Sequence, residues 1–118
     1  MISGIGVDIS LSSRFDGMED SLLEKMFTKR EIERAPERRR SEYFASRFAA
    51  KEAFAKSLGT GIRGFSLLDI EVVENEDGKP YFELSSRALE IARGKIFNLS
   101  ISHDGGLCIA MVTAEYEK

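Results

Sequence analysis

The sequence predicts an α+β domain in which a small antiparallel sheet packs on one long central helix. The helix is indicated by residues 44–56, which contain five alanines and no Gly, Pro or β-branched residue, and such a segment costs little to order as helix. Short alternating segments joined by turns such as Asp77-Gly78 indicate hairpins. Most other helical patterns cluster before the central helix instead of alternating with strands, which is typical of the α+β class.

Residues 2–9 predict a buried first strand. Gly4 and Gly6 weaken a strand and indicate that another backbone approaches closely. They lack the third glycine of a dinucleotide-binding loop and lie inside the strand, so no such loop is predicted. Asp8 is the only charge in this strand. Its ordinary role would be to cap the next turn, but three nearby serines make another cap redundant, which leaves Asp8 for another task.

Three helices are predicted in succession after this strand. Thr28 and Glu31 form a capping box that opens the second helix, and Pro36 ends it. The third helix stops at Gly59. The expected ranges are residues 19–27, 28–35 and about 37–58.

The third helix is predicted to be buried on two sides. At 100° per residue, Phe44, Phe48 and Ala55 fall on one apolar stripe, while Ala49 and Ala53 lie roughly opposite. Apolar residues on two faces indicate a helix that packs against two partners.

Four charged residues interrupt this helix. Glu52 and Lys56 are one turn apart and project from one edge, and Arg47 and Lys51 form a similar pair on another edge. Taken alone, Glu followed four residues later by Lys is typical of a helix-stabilising ion pair. A functional role is the minority interpretation unless other residues support it.

The second half of the chain predicts two hairpins with a helix between them. Pro80 stands at the first position of a strand, where proline is tolerated, and Ser85 or Ser86 caps the helix, which Gly94 ends. The strands are expected at residues 66–74, 80–84, 96–103 and 107–115.

Composition is that of one soluble domain over residues 1–118, with 42% apolar and 31% charged residues. No apolar run approaches a membrane span, so we expect a cytoplasmic protein with no membrane partner. The net charge of −3 argues against a nucleic-acid partner. Cys108 is interpreted as a core thiol. The single histidine, His103, makes zinc improbable, so any metal should be a hard ion with oxygen ligands.

Four ordered stretches resemble one family, the holo-[acyl-carrier-protein] synthases, which are the small bacterial type of phosphopantetheinyl transferase. The resemblance runs from about residue 2 to 115 and implies the phosphopantetheinyl transferase fold. Its motifs are Gly4-Ile5-Gly6-Val7-Asp8-Ile9 with Arg14, Arg47-Phe48-Ala49-Ala50-Lys51-Glu52-Ala53 with Lys56 and Gly59-Thr60-Gly61-Ile62, Asp69-Ile70-Glu71-Val72 with Gly78-Lys79-Pro80, and Ser100-Ile101-Ser102-His103-Asp104.

The resemblance implies a reaction that moves the phosphopantetheine arm of coenzyme A onto a serine of apo-acyl carrier protein. Adenosine 3',5'-bisphosphate is released and Mg²⁺ is required. Asp8 and Glu52 would then bind the metal, together with pyrophosphate oxygens and waters. Lys56 would reach the phosphates or help to remove the serine proton, and Glu52 is the other candidate base.

The resemblance also implies the remaining contacts. Arg47 and His103 would hold the nucleotide end of coenzyme A, including its 3'-phosphate. Arg14, with the basic residues of segment 29–42, would receive the acidic carrier protein. The pocket would be lined by Gly59, Thr60, Gly61 and Pro80.

The family is usually trimeric, with coenzyme A in a cleft between two chains, so the resemblance implies a homotrimer. Which chain supplies His103 and which supplies Glu52 is left open. Two other classes stay as alternatives. A Mg²⁺-dependent phosphohydrolase would use the same carboxylates, and a non-enzymatic module that binds acidic proteins would use the basic segment without needing Asp8 or Glu52.

Overall fold

In the computed structural model, which describes residues 1–59 and 64–117, one long helix crosses one face of a three-stranded sheet. The predicted α+β class is confirmed, and so is the order of helices and strands. Short 3₁₀ turns lie at Ser12–Phe15 and Leu67–Asp69. The elements are β1 Ile2–Leu11, α1 Asp20–Met26, α2 Lys29–Arg34, α3 Arg40–Ser57, β2 Ile70–Glu74, β3 Pro80–Leu84, α4 Ser86–Ile91, β4 Lys95–Asp104 and β5 Leu107–Tyr116.

All strand pairs are antiparallel. The larger sheet has the order β1-β5-β4, and β2 pairs only with β3. Asp8 on β1 lies opposite Ala110 on β5, which in turn lies opposite Ile101 on β4. The strands β1 and β4 therefore form the two edges of this sheet, and the β2-β3 hairpin packs beside β4.

The contact between α3 and β1 depends on two glycines. A Cβ added at Gly4 would lie 1.9 Å from the Ser57 carbonyl oxygen, and one added at Gly6 would lie 2.0 Å from the Ala53 carbonyl oxygen. Real Cβ atoms essentially never come that close. The prediction that another backbone approaches these glycines is confirmed, and that backbone belongs to α3.

Helix α3 is buried on two sides, as predicted. Ala49 and Ala53 pack in the core against the sheet residues Ala110 and Val112. On its other side, Phe44 joins an aromatic cluster with the rings of Phe15 and Phe27, whose centroids lie 6.5 Å and 4.8 Å from its own. Cys108 is buried in the same cluster, as expected for a core thiol.

The structure corrects the sequence interpretation of Lys51. Its side chain is completely buried rather than projecting from an edge beside Arg47. Lys51 Nζ donates to Glu31 Oε1 at 2.6 Å and to the carbonyl oxygens of Met26 and Leu67 at 2.8 and 3.1 Å. Burial lowers the pKa of Lys51, and the charge of Glu31 opposes that shift.

Glu31 has a wider role than its predicted cap. The capping box with Thr28 is present, but Glu31 is buried as well, and its Oε2 accepts a hydrogen bond from the backbone N–H of Val72 at 2.9 Å. The Lys51–Glu31 pair thus joins five segments, which are α1, α2, α3, β2 and the 3₁₀ turn that begins at Leu67.

Two predicted boundaries are wrong by three residues or more. The strand expected from residue 66 begins only at Ile70, because Ser66 Oγ accepts from the Leu68 N–H and caps a 3₁₀ turn. The central helix begins at Arg40 rather than near residue 37, since Arg39 adopts a left-handed backbone, with φ of 61°. Within the described residues, no helix combines the length and apolar character needed to cross a membrane.

The face of the sheet turned away from α3 is apolar and exposed. Side chains at alternate positions of β1 and β5 share this face, and each is between 38% and 62% exposed. A contiguous apolar surface of this kind marks an interaction site more often than an ordinary protein surface. We call it the outer sheet face, and its members are Ile5, Val7, Ile9, Leu11, Leu107, Ile109 and Met111.

Candidate active site

Asp8, Glu52 and Lys56 lie together where α3 crosses β1. Their proximity follows from the local sequence, because Gly4 and Gly6 allow the helix to lie directly on the strand. Lys56 Nζ donates to Asp8 Oδ1 and to the Val7 carbonyl oxygen, each at 3.0 Å.

Glu52 has a perturbed pKa. Desolvation is the main cause that raises the pKa of Glu52, and the negative charge of Asp8 raises it further. The charges of Lys56 and Arg14 act in the opposite direction. Two carboxylates therefore lie close enough to repel each other, and two cations lie beside them.

This donor set fits Mg²⁺. Magnesium in proteins is commonly held by one or two carboxylates and completes its octahedron with waters and substrate phosphates. Nowhere in residues 1–59 and 64–117 are three or more His, Cys, Asp or Glu side chains grouped to hold a metal. Asp8 and Glu52 thus form a partial shell, which suits an ion that arrives with a phosphorylated substrate.

Arg14 lies beside the carboxylates, at the end of the 3₁₀ turn that follows β1. Its guanidinium carbon lies 4.9 Å from the ring centroid of Phe48 and 5.8 Å from that of Phe15. The side chain is exposed, so an anionic partner can reach it while the aromatic rings hold its position.

A second cluster surrounds a cavity of about 410 Å³ between α3, the β2-β3 hairpin and the end of β4. Three predicted nucleotide-binding residues, Arg47, Pro80 and His103, line this cavity. Gly59 ends α3 with φ of 79°. Thr60 and Gly61 lie outside the described residues.

The side chains of Arg47 and His103 are held in this cavity by partners that sequence reasoning missed. The Arg47 guanidinium carbon lies 4.1 Å from the Tyr43 ring centroid, and its Nη2 forms an ion pair with Glu74. His103 Nδ1 lies 2.9 Å from Glu42 Oε1. Tyr43 precedes Arg47 by four residues, so helical spacing alone could have indicated their contact. Nothing in the sequence links Glu42 to His103.

The two clusters lie on opposite sides of α3. Arg47 and Lys56 are nine residues apart, which places them about 180° apart around the helix axis. Asp8 is on the edge strand β1 and His103 is on the opposite edge strand β4. One chain therefore brings together the members of each cluster but does not bring the two clusters together.

Comparison with known proteins shows to which family the chain belongs. The ACPS family, described as the 4'-phosphopantetheinyl transferase superfamily, matches residues 4–112. This chain belongs to that superfamily. The matched range contains every residue of both clusters.

Relatives within the superfamily are similar over almost the whole chain. The holo-[acyl-carrier-protein] synthase of Geobacter sp. strain M21 is 46% identical and aligns over 98% of this chain and 99% of its own. A crystal structure of the holo-(acyl-carrier-protein) synthase of Bacillus anthracis in complex with CoA (3',5'-ADP) is 40% identical, covers 99% of both chains and has a TM-score of 0.85. The Neisseria meningitidis holo-[acyl-carrier-protein] synthase is 35% identical over 98% and 99%, with a TM-score of 0.87.

The predicted family and the phosphopantetheinyl transferase fold are thus confirmed. Membership also identifies the protein as a transferase. The roles of individual residues stay predictions, because the comparisons concern whole chains.

Proposed function

We propose that this chain transfers the phosphopantetheine arm of coenzyme A to a serine of apo-acyl carrier protein, giving the holo carrier and adenosine 3',5'-bisphosphate. The observation that carries the proposal is the Asp8–Glu52 carboxylate pair with Lys56 one turn further along α3, in a chain that is 46% identical to a holo-[acyl-carrier-protein] synthase. We place the reaction in the cytoplasm and assign it to one domain, residues 1–118.

Asp8 and Glu52 are proposed to hold Mg²⁺. When bound, the ion supplies positive charge that stabilises the pyrophosphate as its bond breaks. The support is the proximity of the two carboxylates. Their mutual repulsion contributes to the raised pKa of Glu52, and a cation between them would relieve it.

In the proposed step, the carrier serine oxygen bonds to the β-phosphorus of coenzyme A. The bond from that phosphorus to the bridging oxygen breaks, and adenosine 3',5'-bisphosphate leaves. Glu52 is proposed to accept the serine proton, because it lies with Asp8 and Lys56 at the proposed site of the reaction. Lys56 already donates to two oxygens, so we assign its ammonium to the phosphate charge.

Arg47, Pro80 and His103 are proposed to bind the nucleotide end of coenzyme A, with Gly59, Thr60 and Gly61 nearby. The support is that the first three line one cavity of about 410 Å³. Arg14 is proposed to dock the acidic carrier protein, because it is exposed and lies beside the reacting carboxylates.

The active unit is proposed to be a homotrimer with each site between two chains. Two observations support an assembly. The clusters lie on opposite edges of one chain, and the exposed outer sheet face would be covered by a neighbour. Closed ring symmetry can provide such a neighbour to every chain. Light scattering tests this directly, since full activity at monomer mass would contradict it.

The activity is tested by incubating the protein with coenzyme A, Mg²⁺ and apo-acyl carrier protein, and weighing the carrier by mass spectrometry. We expect the carrier to gain the phosphopantetheine mass. Asp8→Asn and Glu52→Gln should fold normally and lose this activity, while Glu90→Gln, in an exposed ion pair with Arg87, should keep it. Phosphate release to water without carrier modification would instead favour a phosphohydrolase, and binding without reaction would favour a non-enzymatic module.

Complementation tests the shared site. Glu52→Gln chains are expected to be inactive alone, and His103→Ala chains to be inactive alone at coenzyme A concentrations near the wild-type KM. When both are co-expressed, some interfaces pair the sound Glu52 edge of one chain with the sound His103 edge of another, so activity should return. The matched control combines Glu52→Gln with Asp8→Asn. Both defects then lie in the carboxylate cluster, so every site in every mixed trimer contains one defect and no activity should return. Mixed trimers that stay inactive in the first pairing would contradict the shared site.

A further inference from the structure

One carboxylate, that of Glu42, contacts two nitrogen-bearing side chains of the nucleotide cavity, those of Arg39 and His103. Glu42 Oε2 lies 2.9 Å from Arg39 Nε, and Oε1 accepts a hydrogen bond from Arg39 Nη2 at 3.1 Å. The same Oε1 lies 2.9 Å from His103 Nδ1. All three residues line the cavity. The Glu42 carboxylate is thus engaged at both oxygens by a fork from Arg39 and at one of them by the imidazole.

The backbone places Arg39 for this contact. Arg39 adopts φ of 61° and ψ of 32° immediately before α3, a conformation that is uncommon for a residue with a side chain. Unusual backbone of this kind tends to be retained at ligand sites, where the surroundings hold it. Although its side chain is 60% exposed, the guanidinium folds back onto Glu42 instead of extending into solvent.

Glu42 is itself held firmly against β5. Its side chain is only 24% exposed, and its carbonyl oxygen lies 3.6 Å from Cys108 Sγ. Cys108 is the residue opposite His103 in the β4-β5 ladder. The residue whose carboxylate contacts the imidazole therefore also contacts, through its backbone carbonyl, the strand that pairs with the strand of His103.

A carboxylate in a cavity for a phosphorylated ligand is unfavourable unless it has a task. Here the task is orientation. With Nδ1 facing Glu42, the imidazole keeps Nε2 for a ligand. With Nε and one N–H of Nη2 on Glu42, the guanidinium of Arg39 keeps the rest of its five N–H donors. The carboxylate thus orders two donors for an anion, at the cost of one negative charge.

We propose that Glu42 is a positioning residue that presents His103 and Arg39 to the 3'-phosphate of coenzyme A, so that the enzyme selects coenzyme A over 3'-dephospho-coenzyme A. The inference rests on the proposed function. It assigns to Glu42 no contact with the substrate and no part in the chemical step. Its signature is a change in KM that depends on the 3'-phosphate, with kcat nearly unchanged.

The test measures kcat and KM for both substrates with saturating carrier protein. In Glu42→Gln, which keeps the shape of the side chain, KM for coenzyme A should rise about tenfold, the size of one lost charge-assisted hydrogen bond. KM for 3'-dephospho-coenzyme A should change less than about twofold. Glu42→Asp keeps the charge and should recover part of the selectivity.

Two variants control for the loss of charge. Glu33→Gln removes the carboxylate of an exposed pair with Lys29 on α2, outside the cavity, so selectivity for the 3'-phosphate should be retained. Glu90→Gln removes the carboxylate of an exposed Arg–Glu pair on α4 with the same three-residue spacing, and should change neither KM. If Glu42→Gln shifts KM for both substrates equally, simple charge explains the result and the positioning role is wrong.

A melting curve shows whether each variant is folded. If Glu42→Gln does not fold, Arg39→Gln replaces it, because the Arg39 side chain is exposed and its removal should be tolerated. Arg39→Gln should then lose selectivity in the same direction, and unchanged selectivity would overturn the proposal. Failure of the proposed function is a separate outcome, since the wild-type protein would then modify no carrier with either substrate.

Discussion

Replacing Gly6 by alanine should move α3 away from β1 and disable the carboxylate cluster. The added Cβ would lie 2.0 Å from the Ala53 carbonyl oxygen and 2.8 Å from the Ser57 backbone nitrogen. Ordinary contacts begin at 3.4 Å, so the gap between 2.0 Å and 3.4 Å requires a shift of about 1.4 Å. Both neighbouring atoms belong to the helix backbone, and no side chain can rotate away to make room.

Two losses should follow from that shift. Overpacking of this kind costs about 1–3 kcal/mol of unfolding free energy, which for a domain of this size lowers Tm by roughly 5–15 °C. Ala53 follows Glu52 directly, so the same movement separates Glu52 from Asp8. A displacement of about 1 Å in a reacting group can lower the rate about 100-fold, and we expect a loss of kcat of that order.

Gly94→Ala separates the two effects. Gly94 has φ of 80° and nothing within 4 Å of an added Cβ, so alanine there costs about 1–2 kcal/mol of backbone strain without moving α3. Melting curves are measured for both variants, and carrier-modification rates are then measured at a temperature well below the Tm of each. We expect Gly94→Ala to be less stable yet fully active. A Gly6→Ala protein with wild-type kcat would refute the reasoning, whatever its Tm.

Three further predictions follow from the charged residues. Lys51→Met should lower the free energy of unfolding, measured in urea, by about 3–5 kcal/mol, because it leaves the buried Glu31 carboxylate without its cation. The double variant with Glu31→Gln should lose less of this free energy, and an equal loss would contradict the pairing. Arg14→Glu should raise KM for the carrier protein far more than KM for coenzyme A, and the wild-type KM for the carrier should rise with salt; equal effects on both substrates would argue against docking. Because the pKa of Glu52 is raised, the carboxylate gains its proton at a higher pH than usual, and kcat/KM should fall as the pH drops through that value. Arg14→Gln removes a charge that lowers this pKa, so the acidic limb should move to higher pH, and a move to lower pH would exclude Glu52 as the base.

Local signals predicted the elements that position the site. The capping box of Thr28 and Glu31 depends on residues three apart, and the turn at Gly78 on a single φ of 80°. Gly4 and Gly6 indicated a close backbone, although not which one. Each of these signals acts over a few residues, and that is the range a single sequence displays.

The missed features all join residues that are distant in sequence. Lys51 and Glu31 are 20 residues apart, and their burial depends on five segments meeting. The site residues show the same difference between short-range and long-range contacts. The sequence shows the four-residue spacing of Glu52 and Lys56, whereas the contact of Glu42 with His103 exists only because α3 lies across the ladder of β4 and β5.

Because the two clusters lie on opposite edges of α3 and the sheet, a defective subunit in the proposed trimer impairs its neighbours as well as itself. A chain that carries both Glu52→Gln and His103→Ala damages the two interfaces it takes part in. In a random mixture the working sites then follow the square of the fraction of sound chains, so half-and-half mixing leaves about one quarter of them. In the proposed trimer, such a chain would inhibit the wild-type chains with which it assembles, and this inhibition would not require the variant to bind coenzyme A.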